Sequence, residues 1–444
     1  MNKSHQWVAQ SNGWPENLLK EKQLLLNFNR YLYSIYFLLF CLNSFYCSTR
    51  TASFQAPYYP DYRRPDSLPA GRFLTERLPG FSGKKLCLVT NQASLGGLLL
   101  VKTGNETLLH SVMRQNDVFL YKVFTPEHGL TGQEEAHGNS TRADFYVKTI
   151  YLASIEKMQV MFTGCQVMVF DLPDAGVRPF TYRTILTRSM QAMNRLSNGN
   201  AIYLVLDVPN PASYLGTAGP VATRFSYLGE EEIPFYPGYT FAEIAALYHN
   251  EKNLDVKLEV VKLNQYHPHQ HFMAAGFPYQ QPSPNLPTFR ATQCYWASVF
   301  LEGTYLDIGR NSNDPFCLIG HSQFDHSKPL IAADDSYSWQ RYSYKPWGGP
   351  FKGMLLRAYR LRIDKPEKYE PLKVAYHVYQ HLKKQYPYIR LYRSSKDSYW
   401  LDKLVGTPSM RDAISNDMSY AEYKKMLEGP LTRFKERVEP FKLY

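Results

Sequence analysis

The stretch Tyr121–Gly132, YKVFTPEHGLTG, decides how the rest of the chain is read. Apolar side chains at Tyr121 and Val123 alternate, run into Phe124 and stop at Pro126. Glu127 and His128 stand at the break, directly before Gly129. An apolar strand closed by Pro and Gly, with charged residues at its end, fits the carboxyl end of a strand in an open α/β sheet, where ligands bind. A carboxyl group lodged there beside apolar walls suits a general acid. Taken alone, the stretch also fits a surface turn that happens to hold Glu and His.

Working outward, the pattern repeats. Lys84–Asn91 (KKLCLVTN), Val118–Phe124, Gln166–Leu172 (QVMVFDL) and Ala201–Asp207 (AIYLVLD) are short buried runs that end in polar residues, and Ile150–Tyr151 with its neighbours forms a shorter one. Leu108–Gln115 and Thr184–Leu196 have helical spacing between them. Strands alternating with helices predict a parallel sheet covered on both faces. The chemistry is expected where the strand ends meet, at Asn91, Glu127, Asp171, Asp174 and Asp207. The chain has neither GxGxxG nor GxxxxGK[ST], so the Rossmann-like alternation brings no dinucleotide with it, and no cofactor is expected.

From about Phe225 the texture changes. Tyr239–His249 is an apolar-periodic helix, with Thr240 as N-cap and Glu243 completing a capping box. Val256–Lys262 reads as a strand. His267, His269 and His271 alternate, but Pro268 between them favours a polar loop over a metal site, and no metal is expected. Phe277–Thr288 carries four prolines and is stiff and extended, suited to lining a cleft. Glu302–Phe316 is a polar loop; strand-like or helical runs follow at Leu355–Ile363, Val374–Gln385, Arg411–Ser415 and Tyr420–Leu427. The expected architecture is an α/β, Rossmann-like catalytic domain over 84–224 and a C-terminal α+β auxiliary domain over 225–444.

Composition narrows the class. At 44% hydrophobic and 20% charged, the chain of 444 residues is globular and long enough for two or three domains. Residues 1–48 hold four Lys/Arg and two Asp/Glu, so the remainder still carries +9 of the total +11. The basic residues are scattered, without a stripe or a nucleic-acid motif, and no nucleic-acid partner is expected; an anionic polymer or membrane surface is compatible. Tyr31–Cys47 is uncharged and apolar, like the core of an export signal or a membrane anchor. Residues 1–48 are therefore read as that signal or anchor and 49–83 as a linker, which predicts an exported, periplasmic or envelope-associated protein. There is no CxxC, so zinc-ribbon and thioredoxin readings fail. Cys87 and Cys165 are expected as buried strand residues; a disulfide is compatible with export, but spacing assigns none.

Taken in order, the motifs resemble those of the exo-β-N-acetylmuramidases of bacterial peptidoglycan recycling. The resemblance runs through LVTNQ (88–92), FTPEHG (124–129), VFDLPDAGVRPFTY (169–182), LDVPNP (206–211), Gly219-Pro220, PGYTFAEIA (237–245), PSPNLPT (282–288), LEG (301–303), Gly309-Arg310 with Pro315-Phe316, and DKLVGT (402–407). It implies a Rossmann-like domain, an auxiliary domain, a cleft between them and removal of terminal N-acetylmuramic acid from peptidoglycan fragments. It also makes Glu127 the catalytic acid, with His128 beside it and Asp171 and Asp174 positioning sugar or water. Arg178 and Arg310 become candidates for the lactyl carboxylate, which a guanidinium can grip with two parallel hydrogen bonds. Both arginines also suit ion pairs with Asp171, Asp174 or Asp307. Asn91, Asn210 and Asn285 suit sugar hydroxyls and equally suit turns. The carboxylate that partners Glu127 stays open among Asp171, Asp174 and Asp207.

The chain departs from the family pattern at Val208, where an arginine is usual, and at Tyr236-Pro237, where an Arg-His pair is usual. It departs again at Asn311-Ser312 and at 133–138. Loss of cations from the cleft would weaken binding of an anionic sugar. A non-catalytic descendant that binds glycan or an envelope partner is therefore the rival to an amino-sugar hydrolase. A membrane-anchored structural protein is a third reading and rests on Tyr31–Cys47 alone.

Overall fold

Six short apolar runs become the six strands of one parallel sheet. They are β1 (Lys85–Thr90), β2 (Phe119–Thr125), β3 (Tyr146–Thr149), β4 (Val167–Asp171), β5 (Ile202–Leu206) and β6 (Lys257–Val261). Their spatial order is β6-β5-β4-β1-β2-β3, with every pairing parallel. That is the order of the doubly wound nucleotide-binding fold, here without its glycine fingerprint. The computed structural model describes residues 69–94, 102–103, 106–107, 117–130, 146–395 and 398–444. The expected helix at 108–115 and the apolar segment 31–47 lie outside the described residues.

Period-two alternation sorts the sheet into its two faces. Cys87, Val89, Phe170, Tyr203 and Val205 point toward helices α1 (Ile155–Phe162), α2 (Tyr182–Leu196) and α3 (Phe241–Glu251). Leu86, Leu88, Val169 and Leu204 point the other way, onto Phe73, Leu78 and Phe81 of the helical turns at 69–81. The capping box at the start of α3 is formed by Thr240 and Glu243, as the sequence predicts. β6 lies beyond residue 224, the expected domain boundary, so the sheet takes its edge strand from the second half of the chain.

The second half builds on α4 (Phe289–Ser298) and a three-stranded antiparallel sheet. Its strands are β7 (Leu318–His321), β8 (Tyr337–Tyr344) and β9 (Leu356–Ile363), ordered β7-β9-β8. Helices α5 (Pro371–Gln385), α6 (Trp400–Val405), α7 (Ser409–Ser415) and α8 (Tyr420–Val438) complete it. The sequence pattern misses α4 because nine of its ten residues are buried, which leaves no polar face to give it a period.

Among the described residues two disulfides cross-link the fold. Cys87–Cys165 ties β1 to the approach to β4, and Cys294–Cys317 ties α4 to the residue before β7. The two halves share packing and hydrogen bonds. The Trp296 indole donates to the Ala175 carbonyl at 2.8 Å, and the Tyr236 hydroxyl donates to the Trp296 carbonyl at 2.7 Å. Among the described residues no helix is long and apolar enough to cross a membrane.

Candidate active site

Glu127 reaches its place through strand register. β2 and β3 pair with Thr125 opposite Thr149, and the Ile150 amide donates to the Thr125 carbonyl at 2.9 Å. Two residues past each strand end stand Glu127 and Tyr151, side by side. The Tyr151 hydroxyl donates to the Glu127 carboxylate; burial first, and that charge second, push the phenol up to about 12. The turn carrying Glu127 is tight, with left-handed backbone at both His128 (φ 71°) and Gly129 (φ 69°). Left-handed backbone at a non-glycine residue is a local cost that functional turns often carry. His128 Nε2 lies 3.9 Å from Glu127 Oε1.

These residues open into a cavity of about 300 Å³, near the lower end for small-molecule sites and suited to one sugar rather than a chain. Tyr182, at the start of α2, forms one wall; its hydroxyl donates to the Pro282 carbonyl at 2.8 Å and accepts from Asn91 Nδ2 at 3.0 Å. Pro282 lies within the proline-rich segment, so that bond brings Ser283 and Asn285 to the rim. The far wall comes from the second half. Thr288 caps α4 by accepting from the Ala291 amide, and the helix delivers Tyr295. The 3₁₀ turn Val299–Gly303 that follows delivers Val299 and Glu302. Phe180, Phe316 and Trp400 supply apolar surface.

Glu302 is ion-paired with Arg310, whose guanidinium also lies 4.9 Å over the Phe316 ring. Arg310 follows a pinned loop. The Gly309 amide donates to Asp307 Oδ1 at 2.7 Å, the Tyr344 hydroxyl donates to the same oxygen, and the Asp307 backbone bridges to Gly320 of β7. Among the described residues the cavity thus holds two carboxylates, one guanidinium, one imidazole and three tyrosines between aromatic walls. A carboxyl pair on an amphiphilic cavity can perform acid–base chemistry on an acetal bond. Among the described residues no His, Cys, Asp or Glu group could hold a metal ion. His271 packs against Tyr214 and Phe289 instead.

The sequence groups ten residues as candidates, and the structure brings four of them to this cavity: Glu127, His128, Asn285 and Arg310. The other six are buried elsewhere. Asp174 forms an ion pair with Arg183 inside the protein and accepts from the Gly176 amide at 2.9 Å. Burial raises the pKa of its carboxyl, against the pull of Arg183. Asp171 is buried at the end of β4 and does not line the cavity. Asp207 accepts from the Ala242 amide at the start of α3 and from the Tyr444 hydroxyl, at 3.0 and 2.7 Å; burial pushes its carboxyl up to about 7. Asn91 closes a turn onto Ala93 and touches the site through Tyr182 alone. Asn210 bridges the Tyr239 carbonyl and the Ala212 amide, each at 2.9 Å.

Arg178 is fully buried, and burial lowers its pKa to about 10. It donates to the carbonyls of Leu404 (2.9 Å) and Leu228 (3.4 Å), two residues of the cavity wall, and so acts from behind that wall. Three of the departures from the family pattern are described, Val208, Tyr236-Pro237 and Asn311-Ser312; none of them lines this cavity, and Val208, Tyr236 and Ser312 are buried. Residues 133–138 lie outside the described residues.

Comparison with known proteins places the chain in a family. Residues 86–290 match the family model of the N-terminal part of exo-β-N-acetylmuramidase NamZ, and residues 293–444 match that of its C-terminal part. The chain belongs to the NamZ family. Among NamZ relatives, the peptidoglycan β-N-acetylmuramidase NamZ of Bacillus subtilis (strain 168) is 28% identical over 374 residues, covering 82% of this chain and 87% of that protein. Two crystal structures of DUF1343 family proteins from Bacteroides fragilis share the fold, with TM-scores of 0.71 and 0.63 at 22% identity. Each comparison covers 85% of this chain and 98% of the other.

Tyr151, Tyr182, Tyr295 and Glu302 are among the cavity residues that sequence reasoning leaves out. Glu302 carries a signal of its own: it sits in the LEG motif, between a buried aromatic run and the Gly-Arg loop. The tyrosines, among 35 in the chain, carry none.

Proposed function

We propose that the chain removes terminal N-acetylmuramic acid, or a closely related amino sugar, from peptidoglycan fragments, with Glu127 as general acid and Glu302 as its partner carboxylate. The chain is a glycoside hydrolase of the NamZ family, and the named Bacillus relative acts on peptidoglycan. The observation that carries the assignment is that Glu127 and Glu302, from opposite halves, share one cavity with Arg310. Glu302, ion-paired with Arg310, is assigned the charge-balancing carboxylate. Glu127, beside Tyr151 and His128 at the strand end, is assigned the proton donor.

In this reading Glu127 gives its proton to the glycosidic oxygen as the bond to the anomeric carbon breaks, and the aglycone leaves with that proton. The Glu302 carboxylate balances the positive charge that develops on the sugar ring, and a water molecule then adds to the anomeric carbon, forming the new C–O bond and returning a proton to the Glu127 carboxylate. Arg310 spends only part of its fork of donors on Glu302; the remaining N–H groups take the lactyl carboxylate. Ser283 and Asn285 meet the hydroxyl or acetamido groups. Two disulfides among the described residues support maturation in an oxidising compartment, in line with export.

The test is release of chromophore from a β-N-acetylmuramide by wild type, Glu127→Gln and Glu302→Gln. We expect each variant to lose roughly 10²–10⁴ in kcat with an unchanged melting temperature. Full activity in either variant would remove that residue from the mechanism. Glycan binding by wild type without any turnover would instead support the non-catalytic reading.

A further inference from the structure

A second cavity, of about 360 Å³, adjoins the first across the Glu302–Arg310 pair, and both residues line both spaces. We propose that this second cavity receives the departing part of the glycan: a hexosamine ring stacked on Tyr305 and Phe351, with a muramyl or peptide carboxylate from further along the fragment on Arg393. The proposal rests on the hydrolase reading of the first cavity.

Three observations point there. First is continuity. A site that takes one terminal sugar must leave an opening for the rest of the chain, and the cavities meet at the residues assigned to bond cleavage. Second is the lining. Tyr305 is 38% exposed and lies at the cavity with Phe351. Phe351 belongs to the loop between β8 and β9, which also presents Trp347 at 58% exposure. That loop is held against the cavity by the Trp347 amide, which donates to the Asn311 carbonyl at 3.1 Å. Two aromatic rings at the cavity, one of them on a pinned loop, offer flat apolar faces to a sugar ring at little ordering cost.

Third is charge. Arg393 donates to the Glu302 backbone carbonyl at 3.3 Å and has no carboxylate partner among the described residues. Arg390 lies 5.4 Å over the Tyr305 ring, with no carboxylate partner among the described residues either. The acidic groups of this cavity are already engaged: Glu302 by Arg310, and Asp307 by Tyr344 and Gly309. The balance favours an anion, which a muramyl or peptide carboxylate supplies and a neutral sugar polymer does not.

The test compares wild type, Tyr305→Ser, Phe351→Ala and Arg393→Gln on two substrates: a chromogenic β-N-acetylmuramide and a purified muramyl-containing peptidoglycan tetrasaccharide. We expect KM for the tetrasaccharide to rise about tenfold in each variant, the equivalent of one lost stacking or charged contact. The chromogenic substrate should change less than twofold with Tyr305→Ser and Phe351→Ala. Unchanged tetrasaccharide KM in all three variants would overturn the proposal, as would an equal loss on both substrates. A second measurement, tetrasaccharide affinity by calorimetry, separates this inference from the hydrolase reading. Weaker binding in the variants of a protein that turns over neither substrate would sink the hydrolase and keep the cavity. Equal affinity for all four proteins, or no affinity at all, would sink the cavity.

Discussion

At the scale of single residues, the decisive contrast is between two kinds of buried or half-buried acid. Asp174 and Glu127 both follow a strand of the same sheet, yet their partners give them opposite tasks. Asp174 neutralises Arg183 in a fully buried pair. Asp174→Asn would strand that cation, and such losses cost about 3–5 kcal/mol. We therefore expect a large fall in the chemical-denaturation midpoint, with kcat kept in whatever fraction stays folded. A kcat loss without destabilisation would return Asp174 to the chemistry. Tyr151 is the reverse case. Its hydrogen bond to Glu127 lies at the cavity, so Tyr151→Phe should leave the melting temperature within a degree or two. It should lower kcat about tenfold, the usual worth of a hydrogen bond to a charged group. Steady-state kinetics on the chromogenic muramide would show it.

At the scale of elements, the cavity wall depends on how closely backbone can approach a buried guanidinium. Gly406 ends α6 in left-handed backbone, with φ +71°. A Cβ there would stand 2.6 Å from Ala222 Cβ and 2.9 Å from Arg178 Nη2. Arg178 in turn holds the Leu404 carbonyl, so the clash would move a wall of the site. Gly406→Ala should cost about 1–3 kcal/mol through backbone strain and displacement. It should also raise KM for the muramide more than it lowers kcat; thermal melts and saturation kinetics on one preparation would test both. The same element-level logic explains α4. It is buried on nearly every side and is placed by the Thr288 cap, the Trp296 indole and the Cys294–Cys317 bridge. It sets the position of Tyr295 and of the turn that carries Glu302.

At the scale of the whole molecule, Asp207 joins three distant segments: the end of β5, the start of α3 and Tyr444. Burial raises its carboxyl from the ordinary aspartate range to about 7. Between about pH 4 and pH 7 the folded state therefore holds a proton that the unfolded chain has released. By linkage, this contribution favours folding at low pH, declines as pH rises through that window and is lost above it. Each unit of separation is worth about 1.4 kcal/mol. Asp207→Asn keeps an acceptor for the Ala242 amide and should flatten this slope, so that stability at pH 8 matches or exceeds wild type. Urea midpoints at pH 5 and pH 8 would decide; an identical slope in both proteins would remove Asp207 as its source.

The sequence by itself determined the parallel sheet, the order of its strands along the chain, the α3 capping box and the strand end that carries Glu127. These are local matters: a buried strand needs a short apolar run, and a cap needs two side chains three residues apart. Tertiary structure alone decided which polar strand ends face the cavity. Asp207, Asn210 and Glu127 look alike in sequence, each a polar residue at the close of an apolar run. What separates them is the group about 3 Å away: an α3 amide, a carbonyl at 239, or a tyrosine hydroxyl beside open space. Glu302 meets Glu127 from 175 positions along the chain, and no local pattern encodes a meeting that packing of two halves brings about.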